Sequence, residues 1–448
     1  MDTAETIEEA EAELAPPTDL AQAEADYERF VWNNLPRNFA GHFLHGMLGM
    51  TGFRIFNSPT FLPAYLHLIS PPGLSSLVVG GGQALQSLGG ILSPVVGAAQ
   101  VEHRTKVLPV SMWMGTLMRV QIVAIALCAW FLHGPLLVGG ILLFLFLLGV
   151  FQGAQGVAFQ MLLAKVIPTR RRGLLQSLRN FFGGQVSAGL AYVAGRYLIG
   201  GNVFGNGYAT TFILAAILTS LGLTALAVLM REPEPPTVRP RARTWDRMRE
   251  FPQLLRADRG YMFFMIAQTC ATAGRIGVPF YILYAAHVMP LTGPHGGANL
   301  GLMSLLLFEG DSLSNMVWGL IGDRVGFRAS FIGSMALWIA ATVLLLVAAA
   351  PFAVLVAFAG LGAAQAGFNM SSQTMVLEFG ARDDVPMRLG LSQTAQGLMN
   401  TIGPAAGGVI AWLAGYSPVF VISIVFEAIA LGLLIFVVDE PRLRRRSV

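Results

Sequence analysis

The chain has 448 residues, of which 54% are hydrophobic and only 12% charged, and its mean hydropathy is +0.61. Such a composition excludes a water-soluble globular domain and places the chain in lipid. The small basic excess, a net charge of +4, is accounted for by membrane topology and anionic headgroups, so no nucleic-acid partner is expected.

Residues 1–37 form an acidic tail, beginning "MDTAETIEEAEAELAPP". No basic stretch followed by an apolar one marks it as a signal peptide, so it is expected to stay cytoplasmic. Within it Leu20, Tyr27, Val31 and Leu35 fall near helical spacing behind a possible Thr18 cap. That pattern suits a short amphipathic helix on the membrane surface, and the acidic composition equally suits a disordered tail. Apolar runs of about 20 residues, each long enough to span, then recur through residues 38–230 and again through 261–438. Roughly twelve are expected by this criterion. No segment alternates in polarity as a membrane β-barrel strand would.

Basic residues cluster after every second run, in "EHRTK", "PTRRRG", "VRPRARTWDRMRE", "GDRVGFR" and "ARDDVPMR". The intervening loops carry no lysine or arginine, which places both termini in the cytoplasm and requires an even number of spans. Residues 231–260 read as a polar cytoplasmic linker, in which Trp245, Met248, Phe251 and Leu255 recur at helical intervals. Residues 439–448 form a basic cytoplasmic tail. Cys128 and Cys270 each sit within a run and suggest neither a disulfide nor a metal site. The absence of HExxH, CxxC, Walker and nucleophile-elbow motifs argues against an enzyme or an ATP-driven pump, and no cofactor or metal is expected.

The two halves repeat one another. "TGFRIFNSP" in the first run has its counterpart in "TAGRIGVPF" in the seventh, aligning Arg54 with Arg275, and the sixth and twelfth runs close with "REP" and "DEP". Six plus six helices with internal similarity is the pattern of a transporter whose site lies where the repeats meet.

The segment "GLIGDRVGFR", Gly319 to Arg328, resembles the signature loop between helices eight and nine of the major facilitator superfamily (MFS). The resemblance implies an all-α membrane protein with 12 transmembrane helices in two pseudo-symmetric six-helix bundles and cytoplasmic N- and C-termini. It implies a monomeric secondary transporter working by alternating access, with Gly319, Asp323, Arg324, Gly326 and Arg328 as a cytoplasmic gating motif. The matching loop of the first half, "GAAQVEHRTK", keeps Gly97 but has Val101 where the acid belongs. Glu102 follows one residue late, with Arg104 and Lys106 as the loop bases. The fifth run, "GGQVSAG", lacks the proline of the family's drug-antiporter motif, so drug export is not inferred.

Arg54, Arg119, Arg275, Glu309, Asp311 and Glu427 fall near the midpoints of their runs, where a charge costs from about 2.5 kcal/mol upward and needs a partner, water or a ligand. Arg119 and Glu427, on peripheral helices of the implied fold, read as structural. Arg54 and Arg275, on cavity-lining helices, are expected to converge on one central site, and two guanidinium forks suit a carboxylate or phosphate. An anionic organic substrate is therefore expected.

Glu309 and Asp311 lie about 200° apart on a helix, so they face different ways. Asp311, sharing its face with Ser314 and Asn315, is expected to face the cavity, pair with Arg275 and carry the coupled proton, with Glu309 as the alternative carrier. Asn57, Gln155, Gln365, Asn369 and Gln396 supply neutral hydrogen bonds to the solute or to one another across helices. Tyr281, with Tyr284, closes the site from outside or anchors the interface. His42 and His45, near a cytoplasmic end, read as solvated.

The sequence thus points to a proton-coupled secondary transporter of a small anionic solute in a bacterial inner membrane, with protons and lipids as its other partners. A non-transporting receptor or scaffold, or a lipid flippase on the same fold, is the alternative.

Overall fold

A computed structural model describes residues 17–101, 104–234, 255–256, 258–379 and 385–440, and every regular element among them is helical. The first half holds α1 (Pro17–Asn33), α2 (Leu35–Phe56), α3 (Phe61–Ile69), α4 (Ser75–Val101), α5 (Leu108–Phe131), α6 (Gly134–Val166), α7 (Thr169–Val193) and α8 (Gly207–Leu229). The second holds α9 (Arg259–Gly274), α10 (Tyr281–Ala285), α11 (Gly296–Arg324), α12 (Phe327–Val347), α13 (Pro351–Glu378), α14 (Val385–Ala414) and α15 (Tyr416–Phe436). Among the described residues seven helices, α5, α6, α8, α12, α13, α14 and α15, are each long and apolar enough to cross a bilayer. The protein is an integral, multi-pass membrane protein. Of the other rods, α9 has 16 residues, and α11 carries Glu309, Asp311, Asp323 and Arg324.

The repeated arginine segments are both points of fracture. After Arg54, α2 ends at Phe56 and Asn57 turns the chain into Ser58 and Pro59 before α3 begins. After Gly274, α9 gives way to a 3-10 segment, Arg275–Phe280, containing Pro279. Proline has no N–H for the helical ladder and its ring crowds the preceding turn, so each rod breaks where the sequence places it.

Helices approach closely where glycine removes the side chain, as is common in membranes. The second and fourth rods cross at Gly149 of α6, where a Cβ would lie 1.9 Å from Gln86 O of α4. The eighth and tenth cross at Gly362 of α13, where one would lie 1.9 Å from Leu307 O of α11. The same crossing therefore occurs once in each half. Aromatic residues fill the spaces between, Phe56 against Phe212 in the first half and Phe264, Phe331, Phe368 and Trp338 in the second.

Among the described residues helix α1 runs over Pro17–Asn33. The helix packs on the α6–α7 junction, where the Tyr27 hydroxyl donates to Lys165 O at 3.0 Å. Of the expected linker helix, Trp245, Met248 and Phe251 lie outside the described residues, as do the first 16 residues and the basic tail from 441 onward.

Candidate functional site

The charged residues of α2 and α11 meet midway along their rods. Arg54 Nη2 lies 2.9 Å from Asp311 Oδ2, with 20% and 16% of the two side chains exposed. This corrects the expected pairing of Asp311 with Arg275. The pair joins the two halves, and glycine again permits it: a Cβ on Gly184 of α7 would fall 2.3 Å from Ser312 Oγ and 3.3 Å from Arg54 Nη1.

A cavity of about 290 Å³ opens on this pair, lined by Arg54, Asn57 and Ser58 from the first fractured rod, Asp311 from α11, and Gln365 and Asn369 from α13. Met50, Phe53, Leu307 and Phe308 complete its apolar wall. Charge balances within the pair, and the rest of the polar lining is neutral amide and hydroxyl. Five of the predicted residues, Arg54, Asn57, Asp311, Gln365 and Asn369, thus share one cavity. Arg275, Gln155, Gln396 and Tyr281 are not in its lining.

Arg275 does not converge with Arg54. Its guanidinium lies over Phe368 and Trp338, 5.2 and 5.8 Å from the ring centroids, and its Nε has no hydrogen-bond partner. The physical reason is the surroundings: Phe368 and Trp338 offer ring faces that attract the guanidinium, while Asp311 is already held by Arg54. Tyr281 is packed rather than gating, since its ring stacks on Phe420 and its hydroxyl accepts from Trp338 Nε1 at 3.0 Å. The Tyr284 hydroxyl donates to Leu346 O. Gln396 belongs to a structural chain, donating to Ser392 Oγ, which donates to Gln268 Oε1. Gln155 is buried within α6.

Glu309 faces away from the cavity, as the angular separation from Asp311 requires. Its Oε2 accepts from Gln185 Nε2 of α7 at 3.0 Å, a second polar link between halves. Gln185, and Gln86 of α4, which donates to Asn57 Oδ1 at 2.9 Å, escaped sequence reasoning. The one available signal was their position beside glycines at which helices touch.

Among the described residues, Arg54 and Asp311 are the only two of the six midpoint charges that form an ion pair. Glu427, 1% exposed, accepts from Ser423 Oγ at 3.1 Å beside Gly274. Arg119 donates to the carbonyls of Thr219 and Gly115. His42 and His45 are buried, not solvated.

The segment expected to act as a gating motif sits at the far end of α11, away from the cavity. Gly326 adopts φ +115°, a conformation only glycine takes readily, and the Glu440 carboxylate occupies the space a Cβ would need. Arg328 donates through Nε and Nη2 to Leu434 O and Ile435 O, both at 2.8 Å, while Asp323 and Arg324 are exposed. Gly319 packs openly, its nearest neighbour being Met370. In the first half Glu102 lies outside the described residues and Arg104 is exposed. Glu232 of the "REP" segment accepts there from Val107 N and Leu108 N, at 2.7 and 2.8 Å.

Residues 280–447 match the sequence profile of the Major Facilitator Superfamily. No curated protein matches the chain in sequence. By fold, the chain is similar to a crystal structure of the nucleoside transporter NupG, with a TM-score of 0.67, 13% identity, and coverage of 89% of this chain and 98% of that one. It is similar also to the crystal structure of a D-xylose-proton symporter, with a TM-score of 0.64, 16% identity, and coverage of 91% and 98%. Residues 280–447 thus carry the sequence profile of the Major Facilitator Superfamily, and nearly the whole chain is similar in fold to these two solved structures.

Proposed function

We propose that the chain is a secondary active transporter in which a small polar solute binds between α2, α11 and α13 and Asp311 carries the coupled proton. Residues 38–230 and 261–438 act as two six-helix bundles with cytoplasmic termini, twelve crossings in a bacterial inner membrane, and they rock about the site. One observation carries this reading: the Arg54–Asp311 pair bridges the halves inside a polar cavity, so breaking it is coupled to their motion. Protonating Asp311 removes the charge that holds Arg54, and a solute then takes its place.

The expected anion rested on two converging arginines. With Arg54 already neutralised and Arg275 elsewhere, the amide-rich lining fits a neutral, hydroxylated solute better, and the folds of a nucleoside transporter and a D-xylose-proton symporter support that class. An anionic solute is the second reading, favoured by the unpartnered, buried Nη1 of Arg54; it binds when Asp311 is protonated.

A thermal-shift panel of nucleosides, pentoses and organic anions on purified protein separates the two, because a ligand at a hundred times its Kd stabilises by about 2.7 kcal/mol. The neutral solutes are expected to stabilise the wild type. In proteoliposomes the solute that binds is expected to accumulate down a pH gradient, and Asp311→Asn to keep binding while losing that response. Accumulation by Asp311→Asn that still follows the gradient refutes the coupling role. A protein that binds none of the panel and moves none of it is instead a scaffold or a lipid flippase.

A further inference from the structure

A second concentration of charge lies on α2 nine residues before Arg54, about 13 Å along the helix. Phe159 of α6 is its centre. The rings of His42 and His45 stand 5.2 and 5.1 Å from the Phe159 ring, and the Arg179 guanidinium of α7 stands 5.2 Å from the same centroid. Arg119 of α5 completes the group, and the two arginines are only 5% and 6% exposed.

Their hydrogen bonding is incomplete in one direction. Arg119 donates to two carbonyls, but Arg179 has no hydrogen-bond or ion-pair partner among the described residues. Its Nε is bare, as are both nitrogens of His42 and Nδ1 of His45. No carboxylate of the described residues comes within ion-pair distance of any of the four. The arrangement is also built into the backbone, since a Cβ on Gly46 would fall 1.7 Å from Arg179 Nε. The glycine gives up its side chain to the guanidinium.

Two buried positive charges in an apolar surround require a counter-charge, and a guanidinium always carries its proton. Water satisfies a bare N–H but neutralises no charge. We infer that Arg179, His42 and His45 form a binding site for a compact anion, a halide or a carboxylate group, inside the first half. Close packing by Gly46 and Phe159 limits the ligand to a small one. The site is separate from the inter-half cavity and does not depend on what the transporter carries.

The test is a thermal-shift titration of the full-length protein in gluconate at constant ionic strength, replacing gluconate by chloride in one arm and by formate in the other. A saturable rise in Tm is expected in the wild type and in Arg54→Gln, and is expected to vanish in Arg179→Gln. Because Arg179→Gln removes a buried charge and is a hazard to folding, Gly46→Ala serves as the second variant: it keeps every charge and only displaces the guanidinium. A response to chloride alone identifies a free halide, and a response to formate alone identifies the carboxylate of an organic solute. Three results overturn the site: no saturable response in the wild type, an undiminished one in Gly46→Ala, or its loss in Arg54→Gln, which would put the anion in the inter-half cavity.

Discussion

Arg54 stands in an apolar helix because its charge has a partner on the opposite half, and that makes the pair sensitive to truncation from either side. Asp311→Asn leaves a guanidinium without its carboxylate and Arg54→Gln the reverse. Each single variant is expected to lose about 1–3 kcal/mol of stability, below the cost for a fully buried pair because water reaches both groups. The double variant is expected to recover much of that loss in a double-mutant cycle read by thermal melting; additive losses would show that the pair is not coupled. Arg275→Gln is expected to lower Tm through lost contact with Phe368 and Trp338 without changing any solute response, and a weakened solute response would return Arg275 to the site. The sequence made the residue types legible: an arginine, an acid and three amides of the cavity all stood out as polar groups at membrane depth. Their partners were not legible. Arg275 lies over the ring faces of Phe368 and Trp338, which come from distant helices, and the repeat that matches it to Arg54 carries no sign of them.

Each half ends in an acid that holds the start of another helix. Glu232 accepts from Val107 N and Leu108 N at the entry to α5 and pairs with Lys165 at 3.0 Å, while Glu440 approaches Arg328 N at the entry to α12. The matching "REP" and "DEP" were visible as a repeat, but nothing in the sequence tied them to the loops they cap, because the contacts span 112 to 125 residues. An acid at a helix N-terminus meets unpaired N–H groups and the positive end of the dipole. Glu232→Gln is therefore expected to lower stability by about 1–2 kcal/mol, as losing a helix cap does. The exposed Lys106–Glu234 pair offers the contrast, since Lys106→Ala at a solvent-screened pair is expected to shift Tm scarcely at all. Equal shifts in the two variants would mean that Glu232 acts as a surface charge and not as a cap.

The halves touch along two glycine seams on the face opposite the basic loops. A Cβ on Gly195 of the π-turn after α7 would lie 2.5 Å from Gly301 Cα of α11, and one on Gly80 of α4 would lie 2.3 Å from Pro404 O of α14. Between the seams Thr60 and Ser304 join their hydroxyls at 2.6 Å. Contact continues inward to Arg54 and Asp311, beyond which Leu313, Met316 and Leu320 of α11 are 45–73% exposed. The structure is thus closed on one face, and the closure depends on an absence of side chains that only backbone contact distances reveal. In the rocking motion proposed above the seams part in the opposite state, so a larger residue there penalises the closed state alone and shifts the population toward the other. Gly195→Leu combined with Gly80→Leu is expected to open the cavity on the seam side. With Cys128 and Cys270 replaced by serine, Asn57→Cys reports it: a membrane-impermeant maleimide is expected to label that cysteine from outside intact cells several-fold faster in the leucine variants, and more slowly in inside-out vesicles. Because the two seams lie on different helix pairs, either leucine alone should act in the same direction. Unchanged labelling on both sides would mean that the seams pack the halves without setting which face is open.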